Sequence, residues 1–432
     1  MEQNLEVPQA MNAVRASGLA KRFQSVRAFT LKLCEPLKTE DFVIQSMPDA
    51  SPAKWHLAHT TWFFETFALA PFFPGYKSPN PEYNFLFNSY YNTIGPFHPR
   101  SQRGMLSRPT VREILKYRSE IDFKIAELLD LCDEQLFEKI RPILTLGIHH
   151  EQQHQELILT DIKHLLSQNP SRPVYKSRDF AKAHTVAPLK WTEFDGGIYA
   201  LGHEGAGFSF DNEQPRHRVL LESFSIASRP VTNGEYLEFI LDSGYQRHNL
   251  WLSQGWSIVQ ERGWIAPLYW EKSSDSWQQM SMAGMHKIKP DDPVCHVSLF
   301  EADAFARWRG ARLPSEQEWE IAAEGMPVSG NFAEEEVFHP QSSPTHDGGA
   351  KLTQMFGDVW EWTQSPYSPY PGYRTPVGAI GEYNGKFMCN QFVLRGGSCA
   401  TPQSHIRSTY RNFFPADARW QFMGIRLARE AV

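Results

Sequence analysis

The residues with the clearest chemical potential lie in the run HHEQQHQE, where His150 and His154 are separated by one helical turn. At that spacing both imidazoles leave the same helix face and can reach one metal ion. A second run, WHLAHTTWFFE, offers His56 and His59, either of which could complete a three-histidine set from a neighbouring helix. Three neutral imidazoles leave coordination positions open on a divalent ion, for water, substrates or oxygen. No carboxylate has the spacing of a set of two histidines and one carboxylate, and ligand type alone does not separate iron from zinc, copper or nickel. His149 points about a quarter-turn away from His150, which predicts a partly exposed residue. Glu151 and Glu156 are expected to be solvated charges on the helix face.

These histidines need a rigid frame, and the first part of the chain supplies the pattern of one. Residues 19–37, 53–70, 111–131 and 137–166 carry apolar side chains at three- and four-residue spacing, as in Ile114, Leu115, Ile121, Ile125, Leu128 and Leu129. Four such helices predict an antiparallel bundle over residues 1–167. Between the second and third lies a long loop, residues 71–109, rich in Pro and Asn yet too aromatic for disorder. Residues 168–190 are polar, contain three prolines and show no periodicity, so they read as a linker. From residue 191 to 432 short β-like runs such as GGIYALG, HRVLLESFSIA and FVLRGG alternate with Gly and Pro, with helices expected at 299–309 and 316–323. That pattern predicts an irregular α+β domain.

At 432 residues the chain exceeds what one hydrophobic core usually organises, in agreement with two domains. Its 13 Trp, 29 Phe and 15 Tyr suit cores and also pockets for organic cations. A net charge of -6, with no local run of Lys or Arg, argues against nucleic acid as a partner. The first residues lack the apolar core of a signal peptide and no segment approaches membrane-spanning length, so a cytoplasmic protein without a membrane partner is expected. Cys34, Cys132, Cys295, Cys389 and Cys399 form no CxxC and read as mostly buried free thiols. A homo-oligomeric state is left open.

Together these motifs resemble the ergothioneine-biosynthesis sulfoxide synthases. WHLAHTTWFFE and HHEQQHQE look like the DinB-like helical bundle of that family. FDGGIYALG, NEQPRHRVLLESFSIASRPVTNGEYLEFI, ARLPSEQEWEIAA, GDVWEWT, LRGGSC and RNFFPADARWQFMGIRLAR look like its C-type-lectin-like domain of the formylglycine-generating-enzyme type. The resemblance covers almost the whole chain. It implies that His59, His150 and His154 hold Fe(II), and it selects His59 over His56, which becomes a packing residue or a support behind the ligands. It further implies an O2-dependent reaction joining the sulfur of cysteine to the imidazole of N-α-trimethylhistidine (hercynine), giving hercynyl-cysteine sulfoxide.

Other roles are implied in the same way. Arg100 and Arg103 match an Arg-x-x-Arg pair used for the thiol substrate, although without the resemblance they would read as a solvated loop pair. Gln153 resembles a residue that contacts hercynine. Asn412 and Phe413 resemble residues at its trimethylammonium and carboxylate end, and Phe413 and Phe414 would otherwise read as core. Some family members carry an acidic residue where this chain has Phe414 and accept γ-glutamylcysteine, so the departure suggests the branch that takes free cysteine. Tyr90 and Tyr91, just ahead of the arginine pair, are the candidate catalytic phenols, able to give a proton to reduced oxygen.

Competing readings are fewer. A formylglycine-generating oxidase would need a copper-binding cysteine pair, and residues 399–411 hold only Cys399. An ovothiol-type synthase usually carries an appended methyltransferase, for which the chain has no room. A DinB-like zinc or nickel thiol transferase with a lectin-like binding module would consume no oxygen.

Overall fold

A computed structural model describes residues 6–178, 186–274, 276–342 and 351–431. The chain forms two compact units, Met1–Gln168 and Asn169–Val432. The first is helical, with α1 (Glu6–Cys34), α2 (Ala53–Phe64), α3 (Val111–Leu131) and α4 (Glu134–Gln168). α1 packs on α3 and α4, and so does α2. α3 begins at a capping box, in which the Thr110 side chain accepts the Glu113 amide and Glu113 accepts the Thr110 amide. Its buried stripe is Ile114, Tyr117, Ile121, Ile125 and Leu128.

α2 differs from an amphipathic helix because all 12 of its residues are buried. Its close approach to α4 depends on Gly147, where a Cβ would lie 2.4 Å from Phe64 Cε1. The continuous helix expected over residues 53–70 is not what forms. The α-helix ends at Phe64 and opens into a π turn, Glu65–Leu69, before a last turn at Ala70–Phe72. The buried Glu65 carboxylate accepts the hydroxyl protons of Tyr76, at 2.7 Å, and of Tyr117, which ties the wide turn to its surroundings. The turn also sets Phe67 against Tyr91, with ring centroids 5.2 Å apart. α1 starts at Glu6, well before the expected residue 19, and ends at Cys34.

The loop of residues 71–109 is ordered by its own side chains. It contains a short helix, Tyr83–Phe87, and a 3-10 turn, Arg100–Met105. Asn88 locks the segment between them, its amide donating to the carbonyls of Tyr91, at 3.0 Å, and Gly95, at 3.2 Å, while its oxygen accepts the Tyr91 amide at 2.9 Å. Among the described residues no helix is long and apolar enough to cross a membrane.

Among its described residues the second unit carries twelve short strands: β1 (Trp191–Phe194), β2 (Gly197–Leu201), β3 (His217–Leu221), β4 (Phe224–Ala227), β5 (Trp270–Lys272), β6 (Trp277–Ser281), β7 (Gly284–Lys287), β8 (Trp360–Pro366), β9 (Phe392–Arg395), β10 (Asn412–Phe414), β11 (Met423–Gly424) and β12 (Ala428–Glu430). They form sheets ordered β1-β4-β12, β10-β9-β8-β11 and β5-β6-β7, and a β2-β3 hairpin. They are accompanied by the helices α5 (Asn233–Leu241), α6 (Ser253–Arg262), α7 (Leu299–Trp308) and α8 (Glu316–Ala322). α5 and α6 were not expected, although Thr232 and Glu235 form a capping box at the start of α5. β10 is anchored just before its first residue: Arg411 grips Glu316 through two bonds of 2.8 and 2.9 Å, and Arg395 reaches the same carboxylate at 3.0 Å.

Part of the expected linker is not free of structure. The amides of Tyr175 and Lys176 both donate to the Met282 carbonyl, so residues 169–178 belong with the second unit. Residues 179–185 lie outside the described ones. Cys34, Cys295 and Cys399 are buried, Cys132 is half-buried and Cys389 is exposed, all as free thiols.

Candidate metal centre

His59 comes from α2, and His150 and His154 come from successive turns of α4. One ligand nitrogen from each lies within 4.8 Å of the others, and all three residues are buried. His59 Nε2 and His150 Nε2 are 3.2 Å apart. His59 Nδ1 lies 2.6 Å from the Phe87 carbonyl, which can only accept, so the proton sits on Nδ1 and the Nε2 lone pair is bare. Behind His154, its Nδ1 lies 2.8 Å from His56 Nδ1, and His56 Nε2 lies 3.0 Å from Asp161 Oδ2.

Burial sets the charge state of the group. It pushes the His59 and His154 pKa well below the ordinary imidazole value, reinforced by His150 in each case, and brings His150 down to about 3. At neutral pH the three rings are therefore uncharged, and their ring nitrogens converge in a buried space. Three neutral imidazoles converging through ring nitrogens that can each offer a lone pair suit a cation, so the donor set fits a divalent metal ion. Aromatic rings fix the angles: His59 stacks on Trp55 at 4.6 Å and on Trp62 at 5.6 Å, and Phe63 packs on His150 at 4.9 Å.

The other residues expected at the site divide into those near this cluster and those elsewhere. Tyr91 is fully buried and packs on Trp62 and Phe63, the same rings that hold His59 and His150. Tyr90 stacks on Tyr91 at 4.6 Å, their hydroxyls 3.4 Å apart. The two arginines part company. Arg103 is buried, its guanidinium carbon 3.3 Å from the Trp55 ring centroid, and it donates to Ser51 Oγ and Ser89 Oγ at 3.0 Å each. Among the described residues no carboxylate lies within ion-pair distance of it, and burial followed by the neighbouring Arg100 lowers its pKa well below the usual value. Arg100 is exposed and donates to the Asp49 carbonyl.

Gln153 is half-buried on α4. Asn412, Phe413 and Phe414 lie on β10 in the second unit, all half-buried. There Phe413 stacks on Tyr367 at 4.0 Å, Asn412 Oδ1 accepts the Phe413 amide at 2.9 Å, and Phe414 meets Trp420 edge-on at 5.9 Å.

Three expectations about α4 are corrected. Glu151 and Glu156 are buried rather than solvated, and Glu151 is 0% exposed. For Glu151 the reason is that α1 and α3 cover its side of α4. Arg27 donates to Glu151 at 2.7 Å, Arg118 donates to it as well, and Thr30 adds a hydroxyl at 2.6 Å. Burial alone would raise the Glu151 pKa, but Arg118 and Arg27 bring it down to about 2. His149 is also buried, its Nε2 2.8 Å from an Arg22 nitrogen.

Sequence reading missed Asp161, Trp55, Trp62 and Asn88. A signal existed for three of them. Asp161 follows His154 by seven residues, two helical turns on the same face, and the tryptophans flank His59 at four and three residues. Asn88 acts through loop conformation and left no pattern.

The two units match two family descriptions: residues 22–158 the DinB superfamily, and residues 190–431 the sulfatase-modifying factor enzyme 1-like domain. The class is therefore a DinB-type bundle with a buried histidine cluster, joined to a domain of the formylglycine-generating type, as expected from the sequence. Two full-length relatives narrow it. Hercynine oxygenase of Mycolicibacterium smegmatis is 32% identical over 450 residues, covering 95% of this chain and 98% of that protein. Hercynine oxygenase of Mycobacterium tuberculosis is 32% identical over 440 residues, with 95% and 98% covered. The chain belongs to the hercynine oxygenase family and is an oxygenase. Ergothioneine biosynthesis protein 1 of Schizosaccharomyces pombe is 27% identical over 237 residues, 51% of this chain and 28% of that protein.

Proposed function

We propose that the chain is a non-haem Fe(II) enzyme that joins the sulfur of cysteine to the imidazole C2 of hercynine, with O2 as oxidant, to give hercynyl-cysteine sulfoxide for ergothioneine biosynthesis. The observation that carries this reading is the convergence of three buried, neutral histidines, with a buried arginine nearby that has, among the described residues, no carboxylate within ion-pair distance. The reaction balances as loss of one C–H and one S–H bond, formation of C–S and S–O bonds, and release of the second oxygen atom as water.

His59, His150 and His154 would hold the iron. When bound, it supplies the means to deprotonate the thiol and to reduce oxygen. The protein's own part is placement. A buried guanidinium fork with no carboxylate bonded to it among the described residues is a seat for an anion, and the cysteine carboxylate fits it, so Arg103 anchors the thiol. Arg100, on the solvent side, lends its charge to the approach. Tyr91, with Tyr90 stacked on it, supplies the phenol proton for reduced oxygen. Gln153, Asn412 and Phe413 are assigned to hercynine, and Phe414 denies a longer thiol a charge partner.

Anaerobic reconstitution with Fe(II), followed by oxygen-uptake measurements and product mass, tests the proposal. Oxygen uptake should require hercynine and cysteine together and yield the sulfoxide. Uptake with histidine in place of hercynine would indicate an ovothiol-type reaction. Thiol transfer without oxygen uptake would sink the oxygenase chemistry.

A further inference from the structure

The ligand histidines are not supported alike. His59 gives its Nδ1 proton to a backbone carbonyl, whereas His154 leans on a second histidine and, through it, on a carboxylate. The proton positions in that chain follow from one end. Asp161 Oδ2 receives the Ser51 amide at 2.8 Å and, as a carboxylate oxygen, has no proton to give. The His56 nitrogen facing it, Nε2, must therefore donate, so His56 Nδ1 carries a lone pair. That lone pair faces His154 Nδ1 at 2.8 Å, which must then carry the proton. His154 is left with Nε2 as the only atom it can offer to a metal. All three side chains are buried, so water does not substitute for any link.

We infer that His56 and Asp161 form a positioning relay that fixes the tautomer and ring orientation of His154, and so set the affinity of the histidine cluster for a divalent metal. The inference rests on the metal-site part of the function proposed above and extends it to two residues outside the cluster. A ligand imidazole whose second nitrogen donates to a carboxylate or carbonyl is held in one tautomer and made more basic, and loss of such a partner typically weakens metal binding about 10- to 100-fold. Here the support is longer by one imidazole. His56 accordingly has a duty that neither packing nor direct ligation describes. Ser51 closes the far end, since its amide holds Asp161 and its hydroxyl accepts from Arg103 at 3.0 Å.

Titration of the full chain with Co(II), read by its visible absorption, tests the relay without any turnover. His56→Phe removes the acceptor for His154 and should weaken Co(II) by at least about tenfold. His56→Gln retains a carbonyl to accept from His154 and an amide to donate to Asp161, and should stay within about threefold of wild type. Asp161→Asn should fall between the two. Since both residues act through His154, the His56→Phe/Asp161→Asn double variant should lose no more than His56→Phe alone, whereas two independent structural roles would add. Unfolding temperatures in chelator report folding separately from metal affinity. Wild-type affinity in His56→Phe, equal loss in His56→Gln, or additive losses would each overturn the relay. The 15N shifts of His154 in the Zn(II)-loaded wild type give a reading that needs no variant: metal on Nε2 and a proton on Nδ1 are expected, and metal on Nδ1 would overturn the inference. A wild type that binds no Co(II) would sink the metal centre and the relay together. Normal Co(II) results without oxygenase activity would leave the relay standing and sink only the reaction.

Discussion

At the scale of single residues, burial separates side chains that the sequence presents as equals. Arg100 and Arg103 form one motif, yet only Arg103 is buried beside the histidine cluster's tryptophan. Arg103→Ala should therefore raise the KM for cysteine by about 1.5 to 3 kcal/mol, the range for a lost charged hydrogen bond, and leave hercynine little changed. Arg100→Ala should have a much smaller effect. Steady-state kinetics with each substrate varied in turn decides this, and equal losses for both substrates would return Arg103 to a purely structural role. Tyr91→Phe should keep the iron while lowering sulfoxide yield and diverting oxygen toward oxidation of the thiol alone. A fully active variant would remove the phenol from the mechanism. Phe414 bears on thiol choice: with no carboxylate there, the γ-glutamyl ammonium would be buried unpaired, so kcat/KM for cysteine should exceed that for γ-glutamylcysteine by at least about tenfold, or about 1.4 kcal/mol. A preference for the longer thiol would refute this.

The helices make those residues possible, and their cost is a pH-sensitive bundle. His59, His150 and His154 are held neutral in the fold, with His150 at about 3 against about 6.5 in an unfolded chain. The unfolded state therefore binds more protons between those values. Stability from these groups is complete above about pH 6.5 and is lost as pH falls toward 3. Glu151, at about 2, adds a second loss only below about pH 4.5, and Asp358 of the other unit, pushed up to about 6 by burial, works in the opposite direction. Metal-free protein should show a falling unfolding temperature for the helical unit between pH 7 and 5, tracked by helical circular dichroism, and His150→Gln should flatten it. An unchanged slope in that variant would mean the histidines are not the titrating groups. The same helices show what a sequence reveals. His150 and His154 were legible because a four-residue spacing on a helix has a geometric meaning, and the cap at Thr110 was similarly local. Glu151 was misjudged because its covers, Arg27 and Arg118, come from distant parts of the chain. The π turn at Glu65 was illegible because it depends on two tyrosine hydroxyls that no local pattern announces.

For the molecule as a whole, the division into two units bears on where metal binding is encoded. The first unit supplies several supports of the cluster: Phe87 sets the His59 tautomer, Trp55 and Trp62 set its plane, His56 and Asp161 stand behind His154, and Gly147 admits α2 to α4. The clamp on α4 through Arg27, Arg118 and Glu151 is internal to that unit as well. These supports lie within residues 1–168. A fragment of residues 1–168 should therefore fold as a helical protein and bind one Co(II) or Fe(II) ion with a Kd within about tenfold of the full chain, a difference of about 1.4 kcal/mol. Binding should also stabilise it by mass action, by about 2.7 kcal/mol at one hundred times Kd. Glu151→Ala in the same fragment should cost about 3 to 5 kcal/mol, because it leaves the buried Arg118 guanidinium without its carboxylate and Arg27 with Asp122 alone. Circular dichroism and equilibrium dialysis measure these outcomes. A fragment that is helical but takes up no metal would show that the second unit completes the centre.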